Sequence, residues 1–207
     1  MATGRPFNRE QLLAAFDRIG EAAVAHGTVL EIAVYGGSAL MLASRFRYAT
    51  EDADIGELPT PWPEWLTAIT QRIATENDWS PEWLNDAVQF HLSPLADHAA
   101  DHLEFATFPP GEAPGLLVYV PTAEYLLALK LKAISRINDP AKGPQEIADI
   151  RNLLQAAGVR TIDDAVGVLA KFFPKSAADA DKHRFLLRHL WPKDGADEPP
   201  VYPVLGR

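Results

Sequence analysis

Cysteine is absent from all 207 residues, which excludes disulfides, zinc–thiolate centres and thiol nucleophiles. Long apolar runs are absent too: nothing approaches the length of a membrane span. The opening thirty residues hold no continuous apolar stretch of the signal-peptide kind. The expected compartment is therefore the cytoplasm, with no membrane partner. Basic residues are scarce, with 19 Lys and Arg against 28 Asp and Glu and a net charge of −9. A broad nucleic-acid-binding surface does not fit that balance, because phosphate contacts dominate such affinity, whereas a local basic cleft for a nucleotide or an RNA end does. The six histidines show no metal-ligand spacing; His98 and His102 stand four apart, but no helix is expected across them. There is no serine–histidine–aspartate arrangement, no lysine of the phosphate-loop type after the glycine turn, and no internal repeat. With 47% hydrophobic and 23% charged residues, the chain has the composition of an ordinary globular protein. Its length suits one domain, or one domain with a helical appendage.

What is there converges on Glu31–Glu57, EIAVYGGSALMLASRFRYATEDADIGE. Ile32 to Tyr35 reads as a short buried-type strand that stops at Gly36-Gly37-Ser38. Two glycines permit dihedrals and close approaches that a side chain forbids. Ala39 to Ser44 is the expected helix, and its first N–H groups, with Ser38, face the strand's end, where helix termini favour phosphate. Thirteen residues separate Ser38 from Asp52-Ala53-Asp54-Ile55. As a strand, that segment sets Asp52 and Asp54 on one face and Ala53 and Ile55 on the other. Paired carboxylates repel unless a cation or hydrogen bonds compensate. A hard, oxygen-ligated ion, Mg²⁺ or Mn²⁺, is the natural compensator. The pattern points to a metal-bound nucleoside triphosphate held by Gly36, Gly37 and Ser38.

A strand, Gly-Gly-Ser and a following Asp-x-Asp together resemble the signature of the polymerase-β-like nucleotidyltransferase superfamily. More narrowly, the chain is similar to its toxin–antitoxin-associated branches, those like the AbiEii toxin and the DUF6036 family. Trp83-Leu84-Asn85-Asp86, and Leu129-Lys130-Leu131-Lys132-Ala133 with Arg136 and Asp149-Ile150, extend the match over roughly residues 30–155. The resemblance implies a cytoplasmic, metal-dependent transfer of an NMP group from an NTP to an acceptor hydroxyl on an RNA end, a protein or a small molecule. It also implies a cognate partner protein within a toxin–antitoxin system. Asp52 and Asp54 would be metal-binding and catalytic. Lys130 matches the family's recurrent lysine and would meet phosphate or a nearby carboxylate. Asp149 would either orient Lys130 from behind or pair with Arg136. For the superfamily's third carboxylate, Glu104 in the strand HLEFATF is the first candidate, with Asp101 and Asp86 as alternatives. Alternation sets His102, Glu104 and Ala106 on one face of that strand. Two departures stand out: no residue is an unambiguous third carboxylate, and Tyr48, beside Arg47, occupies the place where related sequences carry arginine. They motivate a second expectation, a catalytically inactive nucleotidyltransferase-fold protein that binds nucleotide or acts as an antitoxin-like regulator.

Around this centre, Asn8 with Gln11 predicts a capped helix to about His26. Thr60 and Pro61 predict the start of another, whose stripe includes Trp62, Trp65, Leu66, Ile69 and Ile73. Ser80-Pro81 predicts a short helix through Asp86, and the tryptophans at 62, 65, 79 and 83 read as core. Strands are expected at His102–Phe108 and Leu116–Val120. Helices are expected at 123–138, 145–156, 161–173 and 177–190. The fold class is α+β: a small mixed-sheet nucleotidyltransferase core over 1–120, a helical region over 121–191 and a proline-rich tail over 192–207.

Overall fold

Asn8 opens the first helix with a full capping box, its side chain accepting from Gln11 N while the Gln11 side chain accepts from Asn8 N, both at 3.0 Å. The computed structural model describes residues 4–58, 61–191 and 201–206. The expected turn at Pro59 and cap at Thr60, and the tail over 192–200 and at Arg207, lie outside the described residues. Two units divide the chain, one of Met1–Phe90, His102–Pro121 and Val204–Arg207, the other of His91–Asp101 and Thr122–Pro203. The sequence sets its boundaries at 120 and 191; among the described residues 91–101 belongs to the helical unit and 204–206 to the first.

The first unit contains β1 (Phe7–Asn8), α1 (Arg9–Ala25), β2 (Leu30–Val34), α2 (Gly36–Ala43), β3 (Ala49–Thr50), β4 (Ala53–Gly56), α3 (Glu64–Asn77), β5 (Leu84–Asn85), β6 (His102–Phe108) and β7 (Leu116–Pro121). Five of its strands form a mixed sheet in the order β5-β4-β2-β7-β6. The β2/β7 and β4/β5 pairs are parallel, and the β2/β4 and β6/β7 pairs antiparallel. The architecture is thus α+β. On α1, Leu12, Phe16, Ile19 and Ala23 recur at helical spacing and are all buried. Phe16 meets Phe108 of β6 edge-on at 5.5 Å. Trp79 and Trp83, 5% and 0% exposed, stack in a cluster with Phe7, so their apolar area goes into the core and is not offered to a base.

Three local signals are overridden. The Ser80-Pro81 start gives only a turn, because Leu84 and Asn85 pair with Ala53 and Asp54 as β5. The Trp83 indole, donating to Thr70 O at 3.0 Å, fixes that approach. Helix α3 begins at Glu64 with Pro63 as its cap, so Trp62 stands outside it. In β6 the register shifts between Glu104 and Ala106. Glu104 opposes Tyr119 and Ala106 opposes Val118, so this bulge turns Ala106 to the face opposite Glu104 and breaks the simple alternation.

The second unit comprises α4 (His98–Asp101), α5 (Ala123–Lys132), α6 (Gly143–Ala156), α7 (Ile162–Phe172), α8 (Pro174–Ala177) and α9 (Ala180–Leu190). The four-residue α4 was not expected, and it stops one residue short of His102. Thr122 caps α5 and Thr161 caps α7, the latter in a capping box with Asp164. The long helix expected to Asn138 ends at Lys132 and continues as a tighter turn over Ile134–Asn138. The final one, expected from 177, starts at Ala180 as α9, after a separate four-residue α8.

Candidate functional site

Helix α2 begins on the glycines themselves, directly after β2. Tyr35 N donates to Asp54 O at 2.8 Å, which carries the β2/β4 pairing to the site. Gly36 has φ +62°, a left-handed conformation that suits glycine. A Cβ there would also come within 2.9 Å of Asp54 Oδ2. At Gly37 a Cβ would stand 2.6 Å from Arg47 Nη1 and 3.0 Å from its Cζ. One glycine is therefore covered by a carboxylate and the next by a guanidinium. The buried Ser38 hydroxyl donates to Asp52 O at 2.6 Å. Thr50 Oγ1 donates to the same carbonyl at 3.1 Å and lies 3.2 Å from Asp52 Oδ1. The residue before α2 gives no side-chain cap, and no acidic residue lies in the helix's first turn, an end of the kind that favours anions.

Asp52 is exposed just before β4, and Asp54 is half-buried within it. Asp54 lies opposite Asn85 of β5, and directly opposed residues share a sheet face. Asn85 Oδ1 accepts from Ala87 N at 3.1 Å, and Asp86 Oδ2 accepts from the Trp62 indole at 3.2 Å. Glu104 is exposed on β6. Its row runs through Tyr119 and Ala33 to Gly56, so it shares Asp54's face. But β7 and β2 intervene, three strand spacings or about 14 Å. The structure therefore does not bring Glu104 to Asp52 and Asp54. It joins Glu31 and Glu57 around Tyr119, whose hydroxyl is pushed up from its ordinary value by burial first and then by Glu31, Glu104 and Glu57. Asp101 belongs to the second unit, where its Oδ2 accepts from Asp97 N at 2.8 Å. Among the described residues no group of three His, Cys, Asp or Glu is placed to hold a metal ion.

Lys130 and Asp149 also belong to the second unit. Lys130 Nζ donates to Glu146 Oε1 and Oε2 at 3.0 and 2.9 Å and to Asp149 Oδ2 at 2.8 Å. Those contacts use all three ammonium protons, so a phosphate would have to displace one. Asp149 contacts Lys130 directly and accepts from Gln145 Nε2 at 3.0 Å, while Arg136 is exposed. Lys132 donates to His91 O at 2.8 Å, its ammonium lying over the Phe173 ring.

Two residues near the glycine turn were not singled out from sequence. Arg47 stands one position before the place where the resemblance expects arginine, and the structure lays it on Gly37 while Tyr48 is 83% exposed. That offset was the available signal. Tyr35, last before the turn, is 1% exposed, and its hydroxyl lies 2.8 Å from Nε2 of the buried His102, which fixes the strand end from which the turn departs. No signal short of strand order could have paired them. Comparisons with protein-family models, with curated proteins and with solved structures give no match.

Proposed function

We propose that the protein is a metal-dependent nucleotidyltransferase acting from the end of β2. The observation that carries this reading is the floor of paired glycines, with Asp54 over Gly36 and Arg47 over Gly37, at a helix N-terminus whose preceding residue gives no side-chain cap. A triphosphate there meets backbone N–H groups and a planar cation suited to bidentate contact. The donor set fits Mg²⁺ or Mn²⁺: such an ion is held by one or two carboxylates completed by substrate phosphates and water, and Asp52 and Asp54 are the two. Bound there, it supplies neutralisation of charge on the attacking and leaving oxygens. Ser38 and Thr50, through Asp52 O, hold the two segments together. Arg47, and not Lys130, is the phosphate-binding side chain in this reading.

Glu31, Glu57 and Glu104 share this face or its edge, so an acceptor crossing it meets negative charge. That favours a hydroxyl on a protein or small molecule over an RNA end. The likeness to toxin-associated branches extends the proposal to a protein that works with a cognate partner in the cytoplasm. A second reading, nucleotide binding or antitoxin-like regulation without transfer, is favoured by one observation: Asn85, an amide, stands beside Asp54 where a third carboxylate would complete the set.

Calorimetric titration of each Mg·NTP into wild type, Asp54→Asn and Arg47→Gln tests the shared step, and incubation with labelled NTP then separates the readings. Binding lost in both variants supports the site. Label transferred to an acceptor supports the transferase, and binding without transfer supports the second reading. No binding to folded wild type contradicts both.

A further inference from the structure

Helix α2 is finished differently at its two ends. Its C-terminal carbonyls are buried, with Leu40, Leu42 and Ala43 at most 1% exposed, so water cannot satisfy them and the chain must. The Ser44 hydroxyl donates to Leu40 O. Arg9 Nε donates to Leu42 O at 3.0 Å, and Val204 N donates to Ala43 O at 2.7 Å. The same arginine reaches Gly206 O through Nη2 at 2.8 Å and lies 5.7 Å over the Phe105 ring. Gly206 N in turn donates to Phe105 O at 2.9 Å, the residue at which β6 breaks register. A cation at a helix C-terminus also complements the helix dipole.

We infer that Arg9 and the segment 204–206 form a detachable anchor on α2 that sets the position of Gly36–Ser38 and so regulates nucleotide binding at the other end of the same helix. This rests on the nucleotide reading above. The helix has only eight residues, so a shift at Ala43 is carried within two turns to Gly36. Coupling of this kind is reciprocal: what the anchor contributes to nucleotide affinity, bound nucleotide returns to the anchor. Arg9 is a positioning residue in this arrangement, touching α2 and not the ligand. A partner that captures the C-terminal segment would weaken nucleotide binding without entering the site.

Val204→Pro deletes one donor to α2, and Arg9→Gln removes the guanidinium. Thr161→Ala is the control, since it removes the cap of α7 in the other unit and touches neither Arg9 nor α2. Two readouts apply: amide hydrogen exchange without nucleotide, and Mg·NTP affinity by calorimetry. Both anchor variants should speed exchange across Ala39–Ala43 by about fivefold or more and weaken NTP by a similar factor, the lower range of ordinary coupling between sites. Exchange at Leu153 and Leu154 of α6 should stay as in wild type. Thr161→Ala should lower the melting temperature and change neither readout. In wild type, saturating nucleotide should slow exchange of the Gly206 amide. Unchanged α2 exchange in both anchor variants overturns the anchor whether or not nucleotide binds. Unchanged affinity, with wild type binding, overturns the coupling. Failure of wild type to bind any NTP overturns the nucleotide reading and the regulation together, while the exchange result still judges the anchor.

Discussion

Two places in this chain bring opposite charges together, and they are built in opposite ways. In the helical unit, Lys130 faces Glu146 and Asp149 with exposures of 8%, 8% and 0%, and every ammonium proton is taken by a carboxylate oxygen. At the end of β2, Asp54 and Arg47 are half-buried over bare glycine backbone, beside a helix start whose preceding residue gives no side-chain cap. The first arrangement closes on itself. The second sets two charged groups, each only half-buried, over glycine backbone. Burial explains why Lys130 is the weaker candidate for meeting a phosphate here, and why the half-buried Arg47 is the stronger.

Mutations at the two places should part company accordingly. Lys130→Met leaves two buried carboxylates without their shared cation and should cost about 3–5 kcal/mol in urea unfolding; a loss near zero would mean the triad is solvated. Gly36→Ala forces a side chain into left-handed backbone at about 1–2 kcal/mol and pushes Asp54 from its seat, so nucleotide affinity should fall far more than stability does. Equal affinity to wild type would remove the glycine floor from the account. Ser38→Ala should cost only about 1 kcal/mol, because Thr50 still donates to Asp52 O.

The smallest effect distinguishes Glu104 from the site. Tyr119 titrates above its ordinary value of 10.0 in the fold. An acid whose folded value is raised contributes stability that is fully present below the unfolded value and is lost as pH climbs through the folded one. Glu104→Gln should move the Tyr119 titration, followed by ultraviolet absorbance, back toward 10.0 and leave nucleotide binding alone. A loss of NTP affinity in Glu104→Gln would return that carboxylate to the site.

How much of this was legible depended on how local the cause is. Asn8 with Gln11 and Thr161 with Asp164 could be read because a cap is decided within four residues. The order of strand, glycines and helix could be read because Gly36's dihedral is local as well, although the helix starts on the glycines and not at Ala39, and Asp52 stands just before β4. The strand at Leu84–Asn85 could not, since its partner lies some thirty residues earlier at Ala53–Asp54 and the nearby Ser-Pro signal pointed to a helix. Glu104 was correctly seen as a polar residue amid a strand. Its distance from Asp54 depends on strand order, which periodicity does not carry. Arg47 was missed because a loop arginine is placed by the reach of its side chain, not by any repeat. The anchor joins Arg9, Leu42, Phe105 and Gly206, four positions that only the folded chain brings together.

The central claim is that nucleotide and metal meet at Gly36–Ser38 and Asp54. Mn²⁺ titrated with NTP into isotope-labelled protein tests it most directly, because the paramagnetic ion broadens amide signals by proximity alone. The account predicts broadening of Gly36, Gly37, Ser38 and Asp54, with Glu104 broadened far less and Asp54→Asn abolishing the effect. Broadening centred on Glu104, or none at any of these amides in folded wild type, would contradict it.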